Sequence, residues 1–337
     1  MKKEGIEFKE ALHQLAERAG VTLTPLRPEV EEDKKERDRL YQANEAAAQY
    51  FHNLLLNSPA AEKVRAYIAS RGFNAKSQVD FKLGYAPNSW EGLKEHLMER
   101  GYTKKELVTA GLVIESEDNK THDRFRHKLM FPIMDSRGHV LGFGARVLDD
   151  SFPKYVNSPQ TPLFDKSGNL YGINLAATGI RKQDAVVIVE GYVDVIIAHQ
   201  YGFTNVVASM GTAITERQIG ILKKLTRNVF LALDADSAGE EAMARGVGHE
   251  NALEAEVRVV TLPEGKDPDE VIKADTKGWQ KLLWDAMPII DFTFNIVTAK
   301  LDLTTARGKS SAAIQLLPII GQIKDDVRQA HYLQELA

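Results

Sequence analysis

Between Ala185 and about Thr261, short apolar runs alternate with longer amphipathic stretches. The runs are Val186–Val189, Asn205–Ala208, Val229–Leu233 and Val257–Thr261. They are rich in valine, which packs well on a pleated surface, and the pattern predicts strands. The intervening stretches, Val193–Tyr201, Thr215–Lys224 and Ala238–Leu253, predict helices. Strands alternating with helices imply βαβ units on a mainly parallel sheet. Runs that are apolar throughout fit a sheet covered on both faces. Ligands of such sheets bind beyond the carboxyl ends of the strands.

The flanking sequence follows other periods. Ile6, Leu12, Leu15, Ala16 and Ala19 predict a helix over 5–20 that stops at Gly20, and Pro25 and Pro28 mark a break. Glu31–Leu56 reads as a long helix whose dense charge run is a solvated face. Residues 60–110 read as short helices with turns at Arg71-Gly72, Gly84 and Gly101. Leu129–Met134, Asp135–Gly138 and Val140–Val147 read as strand, turn, strand. Gly142 and Gly144 lack the third glycine and following helix of a dinucleotide fingerprint. They are expected to let another backbone or a ligand approach closely. After Trp279 the chain reads as helices broken at Pro288 and Pro318, with Trp279 and Trp284 as core or interface residues.

Composition narrows the class. With 337 residues, 43% apolar and 27% charged, the chain has room for two or three domains and a sizeable core. No apolar run approaches a membrane span and the first residues lack a signal-peptide core, so a cytoplasmic location is expected. The absence of cysteine excludes disulfides and Cys-ligated zinc in this chain. His122 and His127 have no zinc-like spacing and read as surface residues. The net charge of −4 conceals a split. Residues 120–166 carry eight Lys or Arg against five Asp or Glu, whereas 184–270 carry seven against fifteen. A cationic surface beside an acidic site suits a polyanionic substrate.

Three acidic stretches carry the chemistry: Glu190-Gly-Tyr-Val-Asp194, Asp234-Ala-Asp236-Ser-Ala-Gly239 and Lys266-Asp267-Pro-Asp269. The first two directly follow strands, and the third lies just beyond the fourth. Gly191 is expected to make a tight turn, with Asp194 one helical turn on and pointing back to the same edge. Clustered carboxylates are costly unless neutralised, and hard divalent cations take oxygen ligands. Phosphoryl or nucleotidyl transfer needs such a site. The plainer reading makes Asp194 and Asp236 helix caps. Ser209-Met-Gly211-Thr212 is either a loop approaching this site or a simple turn.

Glu190-Gly-Tyr-Val-Asp194 after one strand and Asp234-Ala-Asp236-Ser-Ala-Gly239 after a later one resemble the Toprim domain of primases, topoisomerases and some nucleases. The wider match resembles bacterial DnaG-type primase. It rests on Glu264–Glu270 and on Asp123-Arg-Phe-Arg126, Phe131-Pro-Ile133, Gly142-Phe-Gly-Ala-Arg146 and Lys154-Tyr-Val-Asn-Ser-Pro159. Ala145 and Ala235 depart from the family's usual glycines. The resemblance runs from about residue 5 to the end.

The resemblance implies an α/β plus α+β architecture, with a Toprim-type mainly parallel sheet flanked by helices. The expected division is an N-terminal helix and linker (1–30), a mixed basic subdomain (31–180), a Toprim catalytic subdomain (181–278) and a C-terminal helical subdomain (279–337). It implies template-directed synthesis of short RNA primers on single-stranded DNA from ribonucleoside triphosphates. Glu190, Asp234 and Asp236 would be catalytic and hold Mg2+, with Mn2+ as substitute. Asp194, Asp267 and Asp269 would be further ligands or orienters of metal-bound water. Arg124, Arg126, Arg146, Lys154, Asn157 and Lys166 would bind nucleotide or DNA, and Tyr155 could offer a stacking face. The family's zinc ribbon and helicase-docking domain are expected to be absent from this chain. The alternatives are another Toprim enzyme, a topoisomerase or nuclease, or a non-catalytic nucleic-acid-binding module.

Overall fold

The computed structural model describes residues 15–16, 18–19, 28–149, 151–211, 214–233, 250 and 256–337. Most of the helix expected over 5–20, nearly all of that over Ala238–Leu253, and Asp234 and Asp236 lie outside the described residues. The chain divides into two compact units, residues 1–39 and residues 40–337. Within the first, residues 31–38 are solvent-exposed, as their charge requires.

Helix α1 (Pro28–Asn57) buries Leu40, Ala43, Ala47, Phe51 and Leu55, three or four positions apart and hence on one face. Next come α2 (Glu62–Ser70), α3 (Ala75–Asp80), β1 (Gly84–Ala86), α4 (Gly92–Met98) and α5 (Lys104–Thr109). The hairpin β2 (Val113–Glu115) and β3 (Thr121–Asp123) precedes β4 (Lys128–Met134), β5 (Val140–Val147) and β6 (Tyr155–Asn157). An antiparallel sheet has the order β1-β4-β5-β6. The expected strand–turn–strand is its centre. Gly84, expected at a turn, is instead in β1, where an added Cβ would lie 2.5 Å from that of Phe51. A close approach, rather than a bend, explains that glycine.

Helix α6 (Ile173–Gln183) leads into the second sheet. Its strands are β7 (Val186–Val189), β8 (Val206–Ala208), β9 (Asn228–Leu231) and β10 (Glu256–Val259), with α7 (Tyr192–Gln200) and α8 (Glu216–Leu222) between the first three. After β10 come α9 (Pro268–Ala274), α10 (Thr276–Trp284), β11 (Met287–Pro288), α11 (Ile289–Ala299), α12 (Ala306–Ile320) and α13 (Asp326–Leu336). The order is β11-β10-β9-β7-β8; the first four strands in sequence are parallel and only β11 is antiparallel. Every residue of β7 is buried. Val186 and Ile188 join the core beneath α6, α11 and α12, while Val187 and Val189 join the core beneath α7. The chain passes from β7 to β8 on one side and then crosses back to β9 on the other, so the strand order reverses at β7, the place where sheets of this kind bind ligands.

Strands β7 to β10 and helices α7 and α8 lie within two residues of their expected positions. Three details differ. The edge strand β11 falls where only helix was expected. Pro318 lies inside α12, near its end, instead of breaking it. Trp279 is wholly buried, whereas Trp284 is 85% exposed and belongs to no core. Among the described residues no helix is long and apolar enough to cross a membrane.

Candidate active site

Glu190 is the first residue beyond β7 and is half-buried. Gly191 is extended, with φ −109° and ψ 160°, so the tight turn expected there is not formed. Its lack of a side chain has another cause. A Cβ would lie 2.7 Å from Asp194 Oδ2, the atom that accepts the Gly191 N–H at 3.1 Å. Asp194 thus reaches back along α7, as its spacing predicts. Its other oxygen, Oδ1, accepts the Asp269 N–H at 3.1 Å. One carboxylate therefore joins the start of α7 to the start of α9.

Pro268 opens α9, a position where its missing N–H costs nothing. Asp269 follows, with its side chain 1% exposed. Its Oδ2 takes Lys273 Nζ at 2.6 Å and Arg71 Nη2 at 3.3 Å. Asp267 precedes Pro268 and makes no side-chain cap. Its carboxyl sits above the usual range, first because burial disfavours its charge and then because Asp269 and Glu270 repel it. Arg71 opposes that shift and Glu190 adds to it.

These groups line one cavity of about 430 Å³. Its wall includes Glu190, Asp194, Asp267 and Asp269 on one side of the charge balance, and Arg71 and Lys166 on the other. Tyr155, Asn157, Tyr192, Met210 and Gly211 complete it. Met210 and Gly211 have φ of 64° and 71°, so the loop after β8 bends at the site and is more than a remote turn. Burial holds the Lys166 ammonium below its ordinary pKa. Tyr192 Oη donates to Asn157 Oδ1 at 2.5 Å.

The other expected cations are placed differently. The Arg146 guanidinium lies 4.5 Å from the Tyr67 ring centroid and 5.4 Å from that of Tyr155, within cation–π range. Arg126 lies 4.1 Å from the Trp90 ring centre and donates to the Asp123 carbonyl. Burial lowers the Arg124 pKa. Lys154 is exposed, 5.9 Å from the Phe152 ring centre. None of these four lines the cavity. His122 and His127 are half-buried, edge-on to Trp90 and Tyr85.

The glycines of β5 admit side chains, contrary to the expected backbone or ligand. At Gly142 a Cβ would crowd Ser158 and Phe164; at Gly144 it would overlap the Tyr192 hydroxyl and ring.

Sequence reasoning missed Arg71, Lys273 and Tyr192. The partner of Arg71 is 198 positions away, and the residue itself looks like part of an ordinary Arg-Gly turn. The Nε atoms of Arg71 and Arg146 are buried without a hydrogen-bond partner, which marks them as unsatisfied donors near the site.

The carboxylate donors are of the kind a divalent cation takes. Asp269, Glu270 and Glu190 each repel Asp267, and a bound cation would relieve that repulsion. Asp194 and Asp269 are already engaged by amides and cations. Among the described residues no group of three or more His, Cys, Asp or Glu is gathered closely enough to hold an ion. A cation held by Glu190 and Asp267 would need further ligands beyond these two.

Comparison with known proteins gives three family matches in chain order. Residues 50–177 match the N-terminal domain of the DNA primase catalytic core, 187–272 a Toprim-like domain, and 290–337 the DnaB-helicase binding domain of primase. The last match corrects the expectation that a helicase-docking domain is absent. Periodicity shows only that this segment is helical, and says nothing of what an exposed helix face contacts. The DNA primase of Clostridium acetobutylicum is 38% identical over 340 residues, covering all of this chain and 56% of that protein. That of Deinococcus radiodurans is 38% identical, covering 94% and 54%. The chain thus spans about half the length of these curated relatives. Among solved structures, the RNA polymerase domain of Mycobacterium tuberculosis primase DnaG superposes with a TM-score of 0.81 at 34% identity, covering 89% of this chain and 98% of that one. A DnaG primase catalytic domain bound to single-stranded DNA gives 0.77 at 32%, covering 90% and 99%.

Proposed function

Because the chain belongs to the bacterial DnaG-type primase family, we propose that it carries the RNA-polymerizing centre of a primase. It copies single-stranded DNA into a short RNA primer from ribonucleoside triphosphates, in the cytoplasm. The observation that carries this reading is the cavity in which acidic residues from the ends of β7 and the start of α9 face Arg71, Lys166 and Asn157.

The primer 3′-hydroxyl attacks the α-phosphorus of the next nucleotide. A new P–O bond forms, the α–β bond breaks, pyrophosphate leaves and the hydroxyl proton is lost. Lys166 and Arg71 offset triphosphate charge inside the cavity. Asn157 orients the nucleotide, and the Tyr155 ring offers it an apolar face. Arg146, beyond the Tyr155 ring, and Lys154, Arg124 and Arg126, outside the cavity, hold the template backbone.

Magnesium, or manganese in its place, is the proposed cofactor, held by Glu190, Asp234, Asp236 and Asp267; when bound it supplies positive charge to the attacking and leaving oxygens. Asp194 and Asp269 act as orienters, since their bonds fix the two acidic loops against each other. We take 290–337 as the segment that docks on the replicative helicase. Its exposed Ile314, Leu317 and Val327 suit a protein partner.

The test is incorporation of labelled ribonucleotide on single-stranded DNA with magnesium. Incorporation that requires template supports the reading. Template-independent signal, or DNA cleavage in place of synthesis, would contradict it.

A further inference from the structure

We propose that Tyr192 is a positioning residue that presents the side-chain amide of Asn157 to the nucleotide as a hydrogen-bond donor. The inference rests on the functional reading above and deepens it. Tyr192 is 3% exposed, its ring stacked on Phe131 with centroids 4.8 Å apart and planes 13° from parallel. Tyr171 meets it edge-on at 4.7 Å. The ring has little freedom, and Gly144 supplies the space it occupies. The phenol is thereby fixed where it donates to Asn157 Oδ1 at 2.5 Å.

An asparagine offers one carbonyl and one NH2 group. Free in solution-facing sequence, it could turn either toward a ligand. With its carbonyl engaged by Tyr192, Asn157 has its N–H groups left for the cavity it lines. It then recognises an acceptor oxygen of the nucleotide. Asn157 is on edge strand β6, paired only with β5, so the backbone alone does not set its side chain.

Binding of ribonucleoside triphosphate in the presence of manganese tests this by titration, on the full chain. Tyr192→Phe keeps the ring stack and removes only the hydroxyl. It is expected to weaken binding about tenfold, the size of one well-placed hydrogen bond. Asn157→Ala is expected to lose at least as much, and the double variant no more than Asn157→Ala alone. Asn157→Asp, which leaves the tyrosine untouched, should bind worse than Asn157→Ala because it replaces the donor by an anion. Wild-type binding by Tyr192→Phe, losses that multiply in the double variant, or Asn157→Asp binding as well as Asn157→Ala would overturn the inference while leaving the functional reading intact. A wild type that binds no triphosphate would overturn both.

Discussion

At the scale of single residues, the site separates carboxylates that face a ligand from carboxylates that hold the protein together. Asp269 is the clearest of the second kind, buried against Arg71 and Lys273. Removing one partner of a buried ion pair costs about 3–5 kcal/mol; both cations here are about a third exposed, so the loss expected for Asp269→Asn is roughly 1–3 kcal/mol. Urea denaturation measures it, and an unchanged midpoint would show that the network adds nothing. His199 gives a second test. It bonds the Val206 carbonyl at 2.9 Å and packs edge-on to Phe81. Burial depresses its pKa, against smaller opposing effects of that bond and of Asp80. The folded protein thus holds this proton less tightly than the unfolded chain. Its stability is at full value above about pH 6.5 and declines as pH falls through the depressed folded value. His199→Gln should flatten the loss of stability between about pH 7 and pH 5. An equal slope in the variant would rule out this residue as the source.

At the scale of elements, Gln200 at the end of α7 ties down the turn that carries Arg71. Its Oε1 accepts the Asn74 N–H at 2.8 Å and the Ser77 hydroxyl at 3.1 Å, and its Nε2 donates to the Gly72 carbonyl at 2.8 Å. Gln200→Ala should lower stability by about 1–2 kcal/mol and raise the KM for nucleotide with a smaller change in kcat. A fall in kcat alone would contradict the assigned brace. The elements themselves were largely legible. Strands β7 and β8 read correctly because burial on both faces forces unbroken apolar runs, whereas β9 and β10, buried at alternate positions, were legible from their largely apolar segments. Thr215 gave its helix start because a capping box is local, with Gln218 three residues on. The short β1, β6 and β11 did not, since two or three residues carry no period. The glycines misled in the same way: Gly84, Gly144 and Gly191 are explained by Phe51, Tyr192 and Asp194, contacts set by packing that no local pattern records.

At the scale of the whole molecule, the two sheets bring a cationic turn from residue 71 and an edge strand from 155–157 against acidic loops from 190 and 267. The acidic half of this arrangement was readable, because each carboxylate lies beside a strand or helix end. The cationic half was readable only in part. Lys166 and Asn157 reach the cavity, Arg146 stands behind Tyr155, and Arg71 enters from a distant segment. The helical end adds a separate expectation. If 290–337 docks on a helicase, Ile314→Asp should weaken that association while leaving primer synthesis on free single strands unchanged. Undiminished association would show that this exposed face is not the contact.

The central claim is that Glu190, at the carboxyl end of β7, serves nucleotidyl transfer. The most direct measurement is primer synthesis by Glu190→Gln on single-stranded DNA with magnesium, alongside its melting temperature. The account predicts a loss of at least about a hundredfold in rate, as for removal of a principal electrostatic group, with melting essentially unchanged. Synthesis near the wild-type rate from the folded variant would contradict it.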